Sequence, residues 1–248
     1  MKLSQKEKAA RRAAFRSMSL EKKIEHIRTY YLWAIALGLA VLLILGSAVH
    51  RQLTKREPVV YLGFVNIAVG EELEGRLTDG FLRFLGADAK RQQVYLYREL
   101  YLSDDADTLN HEYAYASRMK LMGAVGAKQL DLVLMNREAY DLLSRSGYLE
   151  ELSPAFFAQD AALYERLSPY LTVNDVILSD NSIEYQLGEA ETHEVETAPA
   201  QNGLAVTDFP LFAQAGFPEP VYLGVIGNSP RPADCMRYLA FVYDTTFK

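Results

Sequence analysis

Twenty consecutive residues near the N-terminus, Tyr30–Val49 (YYLWAIALGLAVLLILGSAV), carry no charge. A helix of that length rises about 30 Å, the thickness of the hydrocarbon core of a bilayer. Ten of the residues are Leu, Ile or Val, and at roughly −0.3 to −0.6 kcal/mol each they favour insertion by about 3–6 kcal/mol. Tyr30, Tyr31 and Trp33 stand at one end, where amphipathic rings prefer the headgroup layer. A buried core helix this long carries a polar stripe, and this run has none. The expectation is a transmembrane helix.

Charge divides the chain around that run. Residues 1–29 hold nine Lys or Arg against three acids, a net of +6. The whole chain is −6, so residues 50–248 carry −12. More basic residues precede the run than follow it (Arg51, Lys55 and Arg56 come after), which predicts a cytoplasmic N-terminus and an extracytoplasmic C-terminal domain in a cell membrane. A cleaved signal peptide fits less well, because the apolar run exceeds the ~7–15 residues of a signal core. An uncleaved signal anchor is expected, with a basic tail over 1–29, the span over 30–49, a linker over 50–57 and an α/β domain over 58–248. The bilayer is one expected partner and a membrane protein another.

From Pro58 onward, strand and helix patterns alternate. Val59–Phe64 is a short β-rich apolar run, followed by Glu71–Leu85 with apolar residues at helical spacing and Gly86 as a stop. Gln93–Leu100 alternates, Thr108 to about Val125 suits a helix, and Leu130–Met135 suits a buried strand leading into a helix that ends near Gly147. This order predicts an α/β domain with a mostly parallel sheet covered on both faces. Beyond Pro154, Ala161–Leu167 suggests a helix. Val176–Leu178 and Ile183–Leu187 suggest a hairpin about Ser179–Ser182, and Glu189–Asn202 suggests a loop. Val221–Ile226 and Ala233–Tyr243 suggest a final strand and helix.

Little in the sequence points to catalysis. Of four histidines, only His111 and His193 fall in the α/β domain, and the single cysteine, Cys235, has no histidine near it in sequence. No nucleophile elbow, zincin, P-loop or dinucleotide fingerprint occurs. No enzyme activity, cofactor or metal is expected. His193 among Glu189, Glu191, Glu194 and Glu196 suits a solvated acidic loop better than a metal site. Between Leu167 and Pro230 there are nine acids and no Lys or Arg, which excludes nucleic acid as a partner; such a region keeps the domain in solution beside a negatively charged surface, and it also suits a basic partner or cations.

In open α/β sheets, ligands gather beyond the carboxyl ends of strands. That places candidate ligand contacts at Asn66, Asn136, Arg137 and Asp208, although Asn136 also suits a helix cap and Asp208 a turn. Tyr95, Tyr97 and Tyr101 offer rings for stacking on a sugar, or for covering by a helix.

Two segments resemble a known family. Met119–Pro154 (MKLMGAVGAKQLDLVLMNREAYDLLSRSGYLEELSP) is similar to a recurring segment of extracellular solute-binding proteins with the type II periplasmic-binding-protein fold, including the closure Gly147, Leu149 and Leu152. Leu204–Val242 is similar to the return segment of that family, where an Asn-Ser turn (Asn228-Ser229) precedes a helix. The resemblance implies a small-molecule ligand. It also implies a reduced second lobe, since only Ala155–Pro199 separates the two segments. Two functions fit: a membrane-anchored, non-catalytic solute-binding-like module serving a membrane complex, or a ligand-free protein-interaction or structural module of the bacterial cell envelope.

Overall fold

The computed structural model describes residues 19, 33, 36–47, 56–104, 111–188 and 191–244. The chain divides into two units at Lys55 and Arg56. In the first unit, residues 36–47 are helical. Among the described residues no helix is long and apolar enough to cross a membrane. This corrects the expectation of a transmembrane signal anchor at Tyr30–Val49. The sidedness and the cell-membrane placement drawn from that span are corrected with it. Residues 30–32, 34–35 and 48–49 of that stretch, and nearly all of the basic tail, lie outside the described residues.

The second unit begins with strand β1 (Glu57–Val65). Helix α1 (Glu71–Gly75) then runs through a π-helical turn (Arg76–Gly80) into α2 (Phe81–Leu85). Gly86 ends this helix at φ 65°, the left-handed conformation that glycine adopts at least cost. Strand β2 (Gln92–Leu100), helix α3 (His111–Gly126), strand β3 (Leu132–Met135) and helix α4 (Arg137–Arg145) follow. Helix α5 (Ala161–Leu167) leads to β4 (Leu171–Asp180), then a one-turn helix α6 (Ser182–Gln186) and β5 (Val195–Ala205). Strand β6 (Tyr222–Val225) and helix α7 (Pro232–Asp244) complete the unit.

The sheet order is β2-β1-β3-β6-β5-β4. β2, β1 and β3 run parallel, while β6, β5 and β4 are joined by antiparallel pairings. The sheet is therefore mixed, which corrects the expectation of a mostly parallel one. The physical reason lies in the connections. A parallel neighbour needs a long crossover, usually helical, as between β1 and β2 and between β2 and β3; the helical β3–β4 connection instead carries the chain to the far edge of the sheet. β4 and β5 are joined through the short α6, and β5 reaches β6 through a turn-rich segment that contains Pro210, Gly216 and Pro218. The expected hairpin strand Ile183–Leu187 is instead mostly α6, and the expected loop Glu189–Asn202 holds most of β5.

Both faces of the central strands are buried. On β3, Leu132 and Leu134 join a core with α1, α2, α5 and α7, whereas Val133 and Met135 join a second core with α3 and α4. Each fully buried Leu or Val contributes about 1.5–3 kcal/mol, so this double-faced strand anchors the unit. Tyr238 of α7 is buried against Phe81 and donates its hydroxyl to Leu77 O (3.1 Å) inside the π-helical turn. Burial raises the Tyr238 phenol well above its ordinary pKa.

A polar clasp closes the amino-terminal end of β3. The Asp131 carboxylate is buried and accepts from Arg231 Nε (2.8 Å), Ser229 Oγ (2.5 Å) and the backbone N–H of Tyr61 (2.8 Å). Arg231 also lies 4.7 Å from the centre of the Tyr61 ring and donates to Lys128 O. The segment leading into α7 is thus bonded to β1 and β3 by a compensated buried charge.

Candidate functional site

A cleft of about 370 Å³ opens at the carboxyl ends of β1, β2 and β3, lined by segments that leave the three parallel strands. Asn66, the first residue past β1, sits at φ 57°. Asparagine tolerates the left-handed region better than most residues, because its short amide bonds locally. Here that amide clasps the exit of β2: Leu102 N–H donates to Asn66 Oδ1 (2.8 Å), and Asn66 Nδ2 donates to Leu102 O (2.6 Å). The same Nδ2 reaches Glu138 Oε2 at 3.5 Å.

Glu99 is the second left-handed residue of the cleft, also at φ 57°. It lies where the β1–β2 register slips between Gly63/Tyr97 and Val65/Leu100, a bulge that turns the end of β2. The Tyr113 hydroxyl of α3 donates to Glu99 O (2.5 Å) and holds the bulge. Tyr101 stacks on Tyr113 with centroids 6.2 Å apart, while its N–H donates to Ser117 Oγ. Two non-glycine left-handed residues at one rim are backbone strain of about 1–3 kcal/mol each, of the kind that concentrates at functional sites.

The third wall comes from the β3–α4 junction. Asn136 caps α4 by accepting from Ala139 N (3.0 Å), and its Nδ2 points to Glu219 Oε2 at 3.4 Å. Arg137 turns away. It pairs with Asp141 (2.9 Å) and lies 5.7 and 5.9 Å from the rings of Tyr140 and Tyr222, and the hydrogen bond it donates to Asp141 raises its pKa. Glu138, the next residue, lines the cleft instead.

Of the residues expected from sequence, Asn66 and Asn136 meet in this cleft, whereas Arg137 and Asp208 do not line it. Asp208 is exposed in the β5–β6 connection. Tyr101 joins the cleft, but Tyr95 and Tyr97 pack with Tyr61 (5.4 and 6.5 Å), with Lys120 over Tyr97. Sequence reasoning missed Glu99, Tyr113 and Glu138. Only Glu138 left a trace, as an acid in the first turn of a capped helix. The bulge and the α3 contact that place the other two depend on long-range pairing.

Groups with catalytic potential lie elsewhere. Cys235 is buried, and burial pushes its thiol up to about 12, with the Asp131 charge adding to the shift. His193 pairs with Asp180 (3.2 Å) and stacks on Tyr185 in the β4–β5 connection. The side chain of His111 lies outside the described residues. Among the described residues no group of three or more His, Cys, Asp or Glu is placed to hold a metal ion. No protein-family model, curated protein or solved structure matches the chain.

Proposed function

We propose that the second unit is a non-catalytic, solute-binding-like module that holds a small polar molecule in the cleft at the carboxyl ends of β1, β2 and β3. The observation that carries this reading is the convergence there of three chain exits with two strained, non-glycine residues, Asn66 and Glu99. Amides and carboxylates (Asn66, Asn136, Glu138) offer hydrogen bonds, and the Tyr101–Tyr113 pair offers an apolar face, the mixture by which small-molecule sites fix orientation. The resemblance of Met119–Pro154 and Leu204–Val242 to solute-binding proteins supports the same reading. In this chain those segments supply β3 with α4, and β6 with α7.

The test is a thermal-shift screen of the full chain against sugars, amino acids, short peptides and amines. A ligand at ~100 times its Kd stabilises the folded form by about 2.7 kcal/mol, so a binder raises the melting temperature measurably. Tyr113→Ala should abolish the rise by removing the stacking face and releasing the Glu99 bulge. A flat response across the panel contradicts the reading. A second reading, a protein-interaction module, is favoured by the exposed apolar residues at the far end of the β4–β5 ribbon.

A further inference from the structure

β4 and β5 pair along their whole length, from Leu171↔Leu204 to Asp180↔Val195, but only Leu204 and Ala205 pair onward to β6. The near end of this ribbon is fastened to α4. The single Tyr140 hydroxyl proton is shared between Thr172 O (3.0 Å) and Asn202 Oδ1 (2.9 Å), and Ser144 donates to Asp175 O and accepts from Asn202. Gly203 fits here because an added Cβ would lie 2.6 Å from the Tyr140 ring.

Beyond Val176 the fastening stops. Among the described residues, the side-chain hydrogen bonds, ion pair and ring stack of Ile177–Thr197 stay within the ribbon. Asn181 bonds Glu194 and Thr192, His193 pairs with Asp180, and Tyr185 stacks on His193. This free end carries large apolar side chains in water: Leu178 is 61% exposed, Ile183 68% and Leu187 69%. β4 is also the edge strand of the sheet, and past Asp175 its outer backbone groups are not taken up by α4.

Charge decides what can cover this end. From Leu171 to Ala205 the ribbon holds seven acids and no Lys or Arg. A second copy of the same ribbon would set like charges against like, and lipid and nucleic-acid phosphates are repelled in the same way. Complementarity requires an apolar surface flanked by cations.

We propose that the free end of the β4–β5 ribbon is a docking surface for a partner protein segment whose apolar side chains are flanked by Lys or Arg. The apolar residues Leu178, Ile183 and Leu187 supply affinity by burial, and Glu184, Glu191 and Glu196 select a basic partner. The surface is separate from the cleft and stands whether or not the cleft takes a solute.

The probe is a pair of fluorescent amphipathic 18-residue peptides with the same leucines, one carrying Lys and the other Glu, titrated into the full chain at about 0.1 M salt. The Lys peptide should bind and the Glu peptide should not. The triple variant Leu178→Ser, Ile183→Ser, Leu187→Ser should weaken binding at least tenfold with an unchanged melting temperature, since these side chains are exposed in the fold. Glu184→Gln with Glu191→Gln and Glu196→Gln should also weaken it about tenfold. Undiminished binding by the Ser variant reduces the effect to bulk charge attraction and overturns the proposal. So does tight binding of the Glu peptide, or sedimentation showing a dimer of the full chain that the Ser variant dissociates.

Discussion

The parallel half of the sheet and the far end of the β4–β5 ribbon are built from similar residues put to opposite use. Every residue of β3 is buried, and its leucines and valines serve two cores at once. β4 is longer, yet none of its ten residues is fully buried. In β3 apolar side chains are spent on folding, and the strand ends where a cleft opens. At the far end of the ribbon they stand in water beside acids, where the unit gains little from them. An apolar residue that does not stabilise its own fold is available for recognition.

The sharpest way to break this contrast is at the fastenings of the well-packed half. Arg231→Met leaves the buried Asp131 carboxylate without its cation and should cost about 3–5 kcal/mol, read by urea unfolding of the full chain. A matched pair of leucines tests the contrast directly: Leu134→Ala should cost about 2–5 kcal/mol, and Leu187→Ala no more than about 0.5 kcal/mol. Equal losses would mean that the ribbon end is packed. At the boundary between the regions, Gly203→Ala pushes a methyl against Tyr140 and Thr172 and should cost about 1–3 kcal/mol by overpacking.

The smallest effect is electrostatic. The hydrogen bond from Arg98 holds the Glu74 carboxyl below its ordinary value of 4.5. The folded state therefore favours the ionised form. That stabilisation is whole above the unfolded pKa and is lost as pH falls through the lowered folded value. Both partners are partly exposed, so Glu74→Gln should cost under about 1 kcal/mol near pH 7. The gap in melting temperature between the variant and the parent should close as the pH is taken from 6 to below 4.5.

How far the sequence was legible follows the same division. β1, α1–α2, β3, α4, β6 and α7 lie close to their expected places, because dense apolar periodicity and Gly86 mark them. The ribbon was misread because Glu189–Asn202 has few large apolar residues, and that part of β5 is held by backbone pairing and by the buried polar contacts of Asn202. The antiparallel return of β6 was hidden because pairing direction is set by the connection, which the strand's own residues do not encode. For the apolar run Tyr30–Val49, a count of uncharged residues predicts a span, whereas among the described residues no helix is long and apolar enough to cross a membrane. In the cleft, Asn66 and Asn136 followed from strand ends, but Glu99 and Tyr113 reach it through a bulge and a helix contact that no local pattern records.

The most direct measurement is a backbone amide spectrum of the full chain, recorded with and without the tightest-binding small solute from the thermal screen. The account predicts shift changes confined to Asn66, Glu99, Tyr101, Tyr113, Asn136 and Glu138, with the amides of Ile177–Thr197 unmoved. Changes centred on the ribbon end, with the cleft amides silent, would contradict it.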